Sequence, residues 1–292
     1  MVDHVFVIRR HELTDAEWEL LAPLIPSAGR GRPRAEDRRV INGMVYKIRT
    51  GVSWRDLPER YGPWKTVYTR FRRYAIDGVF TRALQQIQAR ADAAGDIDWL
   101  VQIDSTIVRA HQHAAATGRK GGNTGDEPDD HALGRSRGGL TTKIHLACDG
   151  RGRPLAVLLT PGQRHDGVCA RPLLERIRIP RTGPGRPRCR PDHVIADKAY
   201  SSRGFRAYLR RRGIRHTIPE KNDQKQHRRN RGRRGGRPTG FDREIYRRRN
   251  TVERCFNRLK GFRGIATRYE KTATSYEAAV TLASLLLWAR SI

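Results

Sequence analysis

Three acidic residues, far apart in the chain, carry the clearest chemical signal. Asp104 and Asp197 each end a short apolar run, in WLVQIDST and HVIADKAY, and Glu253 lies in YRRRNTVERCFNRLK. Carboxylate oxygens are the protein ligands that Mg²⁺ prefers, and the ion takes only a few of them beside water and substrate phosphates. Two such ions can stabilise the attacking, leaving and nonbridging oxygens of a phosphodiester. The three carboxylates are therefore a candidate metal site, and a fold must bring them together.

A second set of side chains shares the Glu253 segment. Tyr246, Arg249, Glu253 and Lys260 follow one another at offsets of three, four and seven residues, which places them on one face of a single helix predicted from about Arg243 to Lys260. Arg249 could hold a phosphate by a bidentate contact and Lys260 could act as a point charge. The spacing predicts that the two cations flank the carboxylate.

Each acid also has a structural interpretation. Asp104 could cap the turn that follows it, and Asp197 could pair with Lys198 or Arg203. Glu253 could be an ion-pair partner of Arg249 or Lys260, and a single pair of this kind is common on protein surfaces. Other carboxylates rank lower, because they lack a preceding apolar run or lie in turn contexts: Asp96, Asp98, Asp149, Asp166 and Asp192.

The charge of the chain points to a polyanionic partner. Fifty-nine Lys and Arg stand against 30 Asp and Glu, giving a net charge of +29 over 292 residues. Nucleic acid is the obvious partner for such a protein. A membrane is not expected, because the sequence has no run of 18 apolar residues and no signal-peptide layout, so the cytoplasm is the expected compartment. The four cysteines show neither CxxC pairing nor zinc-site spacing and are expected to be reduced.

Residues 1–95 are predicted to form a small all-α domain that binds DNA. Helical periodicity and a capping box at Thr14 predict several short helices with Gly-bearing turns, as in a helix-turn-helix-like unit. Three arginines of the third helix are expected to face outward toward DNA: Arg70, Arg72 and Arg73. The open alternative is an ordinary helical bundle with arginines on its wet face. The preceding segment GRGRPRAEDR could be a minor-groove arm or a linker.

Residues 96–292 are predicted to form a mixed α/β domain. Three extended runs follow one another after residue 98, and two further extended runs then alternate with helices. A last apolar helix, SYEAAVTLASLLLWAR, should pack on the sheet with Tyr276 and Trp288 in the core. Two polar segments interrupt this order. They are residues 113–138 and the basic stretch 221–240, which is expected to be mobile unless a phosphate backbone orders it. His111 and His113 are expected to face solvent or phosphate rather than bind metal.

The motifs together resemble a known family. The pattern Y-x2-R-x3-E-x6-K, with ADKAY at 196–200, QIDSTIVRAH at 102–111 and GVSWRDLPERYGPWKTVYTRFRRY near the N-terminus, is similar to bacterial insertion-sequence transposases of the DDE class. This resemblance implies an RNase H-like catalytic domain in which Asp104, Asp197 and Glu253 bind two Mg²⁺ or Mn²⁺ ions. It also implies a helical domain that binds terminal inverted repeats, and a homodimer or higher multimer on double-stranded DNA.

The prediction is a DNA transposase that cleaves at the ends of an insertion sequence and joins the 3′ ends to target DNA. One alternative is a metal-dependent nuclease of the same fold that performs no strand transfer. Another is a transposase-derived DNA-binding regulator, and an Arg-rich RNA-binding protein is a third. About 20 polar residues stand where such transposases often carry a larger β-strand insertion before the Glu, which predicts a compact member.

Overall fold

The computed structural model describes residues 9–26, 34–114, 131–136 and 138–291. Its helices are α1 Asp15–Leu21, α2 Asp37–Thr50, α3 Trp64–Ile76, α4 Val79–Ala93, α5 Asp166–Glu175, α6 Arg203–Arg211, α7 Asn222–Asn230, α8 Arg243–Arg247, α9 Asn250–Lys260, α10 Arg263–Ala266 and α11 Ala273–Ala289. Its strands are β1 Leu100–Ala110, β2 Gly134–Ser136, β3 Gly139–Cys148, β4 Pro154–Pro161, β5 His193–Ala196, β6 Arg215–Thr217 and β7 Thr267–Arg268.

One sheet has β1 near its centre. The main order is β4-β3-β1-β5-β6, in which β3 runs antiparallel to β1 and β4 while β5 and β6 run parallel to β1. The short strands β2 and β7 pair with β3 and β1. Three antiparallel strands followed by parallel ones reached through helices give the sheet of an RNase H-like fold. The predicted mixed α/β class is confirmed.

The N-terminal helices share one hydrophobic core with the sheet. Helix α11 is apolar on all sides, as expected of a helix buried on every face, and it packs against α4, α3 and β4. Its residues Tyr276 and Trp288 are fully buried, as predicted. A buried ion pair, in which Lys47 Nζ lies 2.8 Å from Glu270 Oε1, also ties α2 to the segment before α11.

Several local predictions are confirmed in the helices and turns. Thr14 and Glu17 form the capping box that begins α1. One of the predicted Gly-bearing turns follows α2 at Gly51, and glycine adopts its φ of 76° without the strain that a side chain would bring. Asp149 takes the turn position between β3 and β4, where its carboxylate accepts hydrogen bonds from the backbone of Arg151 and Arg153.

The single helix predicted over 243–260 is wrong in one respect, because it is two helices. Arg248 and Arg249 form a turn between α8 and α9. Around it, the Arg249 N–H bonds to Tyr246 O and the Val252 N–H to Arg249 O, and these three-residue spans are tighter than those of an α-helix. Within this turn Arg248 pairs with Asp98, which lies just before β1.

The predicted lack of order in 221–240 is also wrong for its first part. Residues 222–230 form α7, and a 3-10 turn follows at Gly232–Gly235. The helix is anchored within the chain, since Gln224 Nε2 donates to Ser201 O at 2.7 Å and Arg228 pairs with Glu220. Of the other polar segment, residues 115–130 and 137 lie outside the described residues, and its described end forms β2.

The predicted outward position of Arg70 is wrong. Its guanidinium is buried and donates to Asp37 Oδ1 at 2.8 Å and Ala35 O at 3.1 Å, so it fixes the start of α2. On the same helix Arg73 is exposed and Arg72 half-buried. Most of the proposed arm before α2, residues 27–33, lies outside the described residues. Among the residues that are described, no helix has both the length and the apolar character to cross a membrane.

Candidate active site

Adjacent parallel strands bring two of the predicted carboxylates to the same level. The register of β1 and β5 pairs Ile103 with Ala196, so Asp104 and Asp197 are the next residues on neighbouring strands. Neighbouring strands lie about 5 Å apart. Every residue of β5 is buried, as expected for a central parallel strand. The sheet therefore places Asp104 and Asp197 side by side.

Each of these two carboxylates also makes a local hydrogen bond. Asp104 Oδ1 accepts from the Ser105 N–H at 2.8 Å, and Asp197 Oδ1 accepts from the Ala199 N–H at 2.8 Å, where it begins a 3-10 turn. The capping interpretation of Asp104 is wrong, because β1 continues to Ala110 and no turn follows Asp104. One oxygen of each carboxylate takes part in these bonds, which fix the side chains and leave oxygen lone pairs for other partners.

Helix α9 carries the third carboxylate across the sheet. Its buried residues Val252, Phe256 and Leu259 recur at helical spacing and pack inward, while Glu253 stays half-exposed on the flank. Arg249 connects this helix to β1, since its Nη2 lies 2.5 Å from Glu253 Oε1 and 3.5 Å from Asp104 Oδ2. One guanidinium thus contacts two of the three predicted acids.

Asp104 is affected by burial and by the charges of the two other candidate acids. The pKa of Asp104 is raised, mainly by burial, and the charges of Asp197 and Glu253 act in the same direction. The Ser105 N–H and Arg249 partly oppose this effect. Because the anionic form of Asp104 is disfavoured, bound positive charge would stabilise it.

The donor set fits a hard divalent cation in its chemistry. All three groups offer carboxylate oxygens, which suit Mg²⁺ and Mn²⁺. Within the described residues, however, no three His, Cys, Asp or Glu side chains lie close enough to enclose an ion. In this state Arg249 supplies the positive charge between Asp104 and Glu253.

The two other members of the motif lie on the same side of the sheet. Lys260 Nζ donates to Thr106 Oγ1 at 2.6 Å, and burial lowers its pKa. The Tyr246 ring lies 5.0 Å from that of Phe241. Burial would lower the pKa of Arg249, but a hydrogen bond with Tyr246 and the nearby Asp104 charge leave it raised, so the guanidinium stays charged.

A fourth carboxylate reaches β1 from the opposite face of the sheet. Asp166, in the first turn of α5, accepts hydrogen bonds from Ser105 Oγ at 2.7 Å and from Lys143 Nζ at 2.9 Å. Sequence reasoning ranked it low, together with four other acids that lack a preceding apolar run or lie in turn contexts. Strand alternation could have found it, since position 105 faces away from position 104 and α5 covers that face.

The remaining rival carboxylates have structural partners. Asp149 and Asp96 both pair with Arg153, Asp98 pairs with Arg248, and Asp192 pairs with Arg188. His111 is half-buried and contacts the rings of His113 and Tyr269 at 4.5 and 5.0 Å. These contacts leave the β1, β5 and α9 acids as the candidate site.

Comparison with known proteins gives the family. A family model described as "Transposase DDE domain" matches residues 97–288, and one described as "Putative transposase of IS4/5 family" matches residues 13–84. The chain belongs to the DDE transposases of bacterial insertion sequences. The two matches leave out little of this transposase, so both its helical part and its sheet are typical of the family.

Two relatives are described as putative transposases of insertion sequences. The transposase is 34% identical over 151 residues to a "Putative transposase for insertion sequence element IS6501" of Brucella ovis, covering 52% of this chain and 100% of the relative. It is 32% identical over 164 residues to a "Putative transposase for insertion sequence element IS402" of Burkholderia cepacia, covering 56% and 67%. The match to a solved "Mos1 transposase paired-end complex with left transposon end" covers 91% of this chain and 81% of that one, at 12% identity and a TM-score of 0.25.

Proposed function

We propose that Asp104, Asp197 and Glu253 are the catalytic acids of this transposase and that they hold two Mg²⁺ or Mn²⁺ ions. The observation that carries the proposal is the β1–β5 register, which sets Asp104 beside Asp197 on adjacent strands while Arg249 links Asp104 to Glu253. The reaction is cleavage at the ends of an insertion sequence followed by joining of the 3′ ends to target DNA.

The bound ions would activate the attacking oxygen and stabilise the leaving oxygen of the phosphodiester. The chain's own residues orient the DNA. Arg249 must release Asp104 and Glu253 before they bind metal, and its guanidinium is then available for a phosphate. Lys260, beside Thr106, supplies a second cation on this face, and Tyr246 supports Arg249.

The helical part, residues 1–95, would bind the terminal inverted repeats. Arg73 is exposed on α3 and Arg72 lies beside it, while Arg70 is committed to α2. The net charge of +29 favours duplex DNA over an uncharged partner. We further propose that the transposase acts as a homodimer or higher multimer on bacterial DNA in the cytoplasm, because two element ends must be processed together.

Cleavage of a labelled duplex that carries the element's inverted repeats, in Mg²⁺ or in EDTA, tests the proposal. Wild type should nick the duplex at the repeat end in Mg²⁺ but not in EDTA. Asp104→Ala and Glu253→Gln should not cut in either condition, because each loses a metal ligand. Binding to the same duplex should stay within about tenfold of wild type, since the acids act on the chemical step. Asp192→Asn, which removes an exposed carboxylate paired with Arg188, is the matched control and should cut normally.

Two results would replace the proposal. Binding without cleavage in any metal would favour a regulator, and cleavage without joined product would favour a nuclease. Equal loss of binding and cleavage in Glu253→Gln would mean that Glu253 is structural.

A further inference from the structure

Behind the proposed active site lies a second polar group of residues, which we call the rear cluster: Ser105 on β1, Lys143 and His145 on β3, and Asp166 on α5. It lies on the face of the sheet that α5 covers, opposite the face where α9 presents Glu253. In the β1–β3 register Ser105 is directly opposite His145, and Lys143 is opposite Ile107. The cluster is therefore built on the two central strands and on the first turn of α5.

Ser105 connects this cluster to Asp104. Its backbone N–H donates to Asp104 Oδ1 at 2.8 Å, while its hydroxyl donates to Asp166 Oδ1 at 2.7 Å. The same residue thus contacts the proposed metal ligand through its backbone and the rear carboxylate through its side chain. The hydroxyl contact therefore restrains the residue whose N–H binds Asp104.

The rest of the cluster holds Asp166 in place. Lys143 is 8% exposed, and its Nζ donates both to Asp166 Oδ1 at 2.9 Å and to Arg164 O at 2.7 Å. His145 is fully buried, and its Nε2 lies 2.8 Å from Thr160 Oγ1. Moving Asp166 would leave a nearly buried ammonium without its ion partner, which is costly. The carboxylate is therefore a fixed point behind the strand.

A simpler role for Asp166 would be to favour the start of α5, because an acidic side chain in the first turn interacts well with the helix dipole. That role needs neither Ser105 nor Lys143. The two hydrogen bonds to the same Oδ1 atom tie the carboxylate to β1 and β3 as well as to its own helix.

We propose that Ser105 and Asp166 are positioning residues that fix the orientation of the Asp104 carboxylate for metal binding. This inference rests on the proposed function, in which Asp104 is a metal ligand. Neither residue contacts substrate or metal. Groups that orient a metal ligand typically affect metal affinity or activity by about tenfold or more.

Mn²⁺ binding to the full chain without DNA, followed by the electron paramagnetic resonance signal of the free ion, tests the proposal. Ser105→Ala and Asp166→Asn should each weaken Mn²⁺ binding by about tenfold. Ser105→Thr keeps the hydroxyl on a strand position that suits a β-branched residue and should stay near wild type. Glu175→Gln, which removes an exposed carboxylate at the other end of α5, is the matched control and should bind as wild type does.

The outcomes separate this inference from the function on which it rests. Asp104→Asn marks the loss expected when the ligand itself is removed. If Asp104→Asn loses binding but Ser105→Ala and Asp166→Asn do not, the positioning role is overturned and the metal site stands. If Asp104→Asn binds Mn²⁺ normally, the proposed metal site is wrong. Failure of Ser105→Thr to bind like wild type would also count against the positioning role, and thermal unfolding of each variant identifies any loss caused by misfolding.

Discussion

At the scale of single residues, Arg249 places its positive charge where the proposed metal ions would bind. It contacts Asp104 and Glu253 together, so in the DNA-free protein an arginine competes with metal for two of the three proposed ligands. The same guanidinium is proposed to bind DNA phosphate during the reaction. Arg249 would therefore weaken metal binding in the DNA-free protein and strengthen DNA binding during the reaction. Substitution of Arg249 should change these two properties in opposite directions.

We expect Arg249→Ala to bind Mn²⁺ more tightly than wild type in the absence of DNA. The gain should reach about fivefold, because a partly exposed ion pair contributes up to about 1 kcal/mol. DNA cleavage should fall in the same variant, since the phosphate contact is lost. Titration with Mn²⁺ and a cleavage assay measure the two effects. Arg254→Ala, on the same helix, is the control, and equal metal affinity in wild type and Arg249→Ala would refute the competition.

His145 should remain neutral well below the usual range for histidine. Burial, the largest cause, lowers its pKa to about 4, with Lys143 acting in the same direction and Asp166 opposing. As pH falls from about 6.5 to 4, the unfolded chain gains a proton at this site and the native chain does not, so native stability decreases, by about 3 kcal/mol in full. The imidazole proton resonances in NMR should not titrate above about pH 5, and a midpoint near 6.5 would contradict the buried state.

At the scale of elements, most of the fold could be predicted and one feature of the signature segment could not. Strands β1, β3, β4 and β5 were predictable because their apolar runs are bounded by turns and polar residues. The break between α8 and α9 was not, because helical spacing alone favours a continuous helix through Arg248 and Arg249. It depends on Asp98 and Asp104, about 150 residues away, whose positions are set by the sheet.

The candidate site likewise has features that the sequence predicts and others that depend on tertiary contacts. Asp104 and Asp197 follow from apolar runs that each end in an acid, but the link from Ser105 to Asp166 depends on which face of β1 is covered by α5. The outward position predicted for Arg70 was also wrong because of a tertiary contact. Its position on the helix faces Asp37 of α2, and the sequence of α3 alone does not contain that partner.

The buried pair Lys47–Glu270 should be a strong link between elements that are distant in sequence. Both side chains are almost inaccessible, and the distance between Nζ and Oε1 is 2.8 Å. Lys47→Met or Glu270→Leu alone should lower the free energy of unfolding by about 3 to 5 kcal/mol, because the remaining group stays buried without its partner. The double variant Lys47→Met/Glu270→Leu should be less destabilised than either, and urea denaturation measures all three. Additive losses in the double variant would contradict this.

At the scale of the whole molecule, a basic groove lies at the β6 edge of the sheet. Its volume is about 1080 Å³, and exposed Arg210, Arg215 and Arg237 line it together with Phe241. We expect DNA to extend into it. Changing any one of the three arginines to alanine should lower the slope of log Kd against log salt by about 1, as loss of one phosphate contact does. Arg171→Ala, an exposed arginine paired with Glu175, should leave the slope unchanged, and no change in the groove variants would exclude this path.

The packing of α11 constrains the order in which the protein can assemble during synthesis. Its residues 273–289 cover α3 and α4, which leave the ribosome nearly 200 residues earlier. Domains usually fold as units from the N-terminus. Here, however, the N-terminal helices keep part of their apolar surface exposed until α11 has been synthesised. A nascent chain halted before residue 273 would expose the apolar surface that α11 buries, and the ribosome or a chaperone would have to protect it.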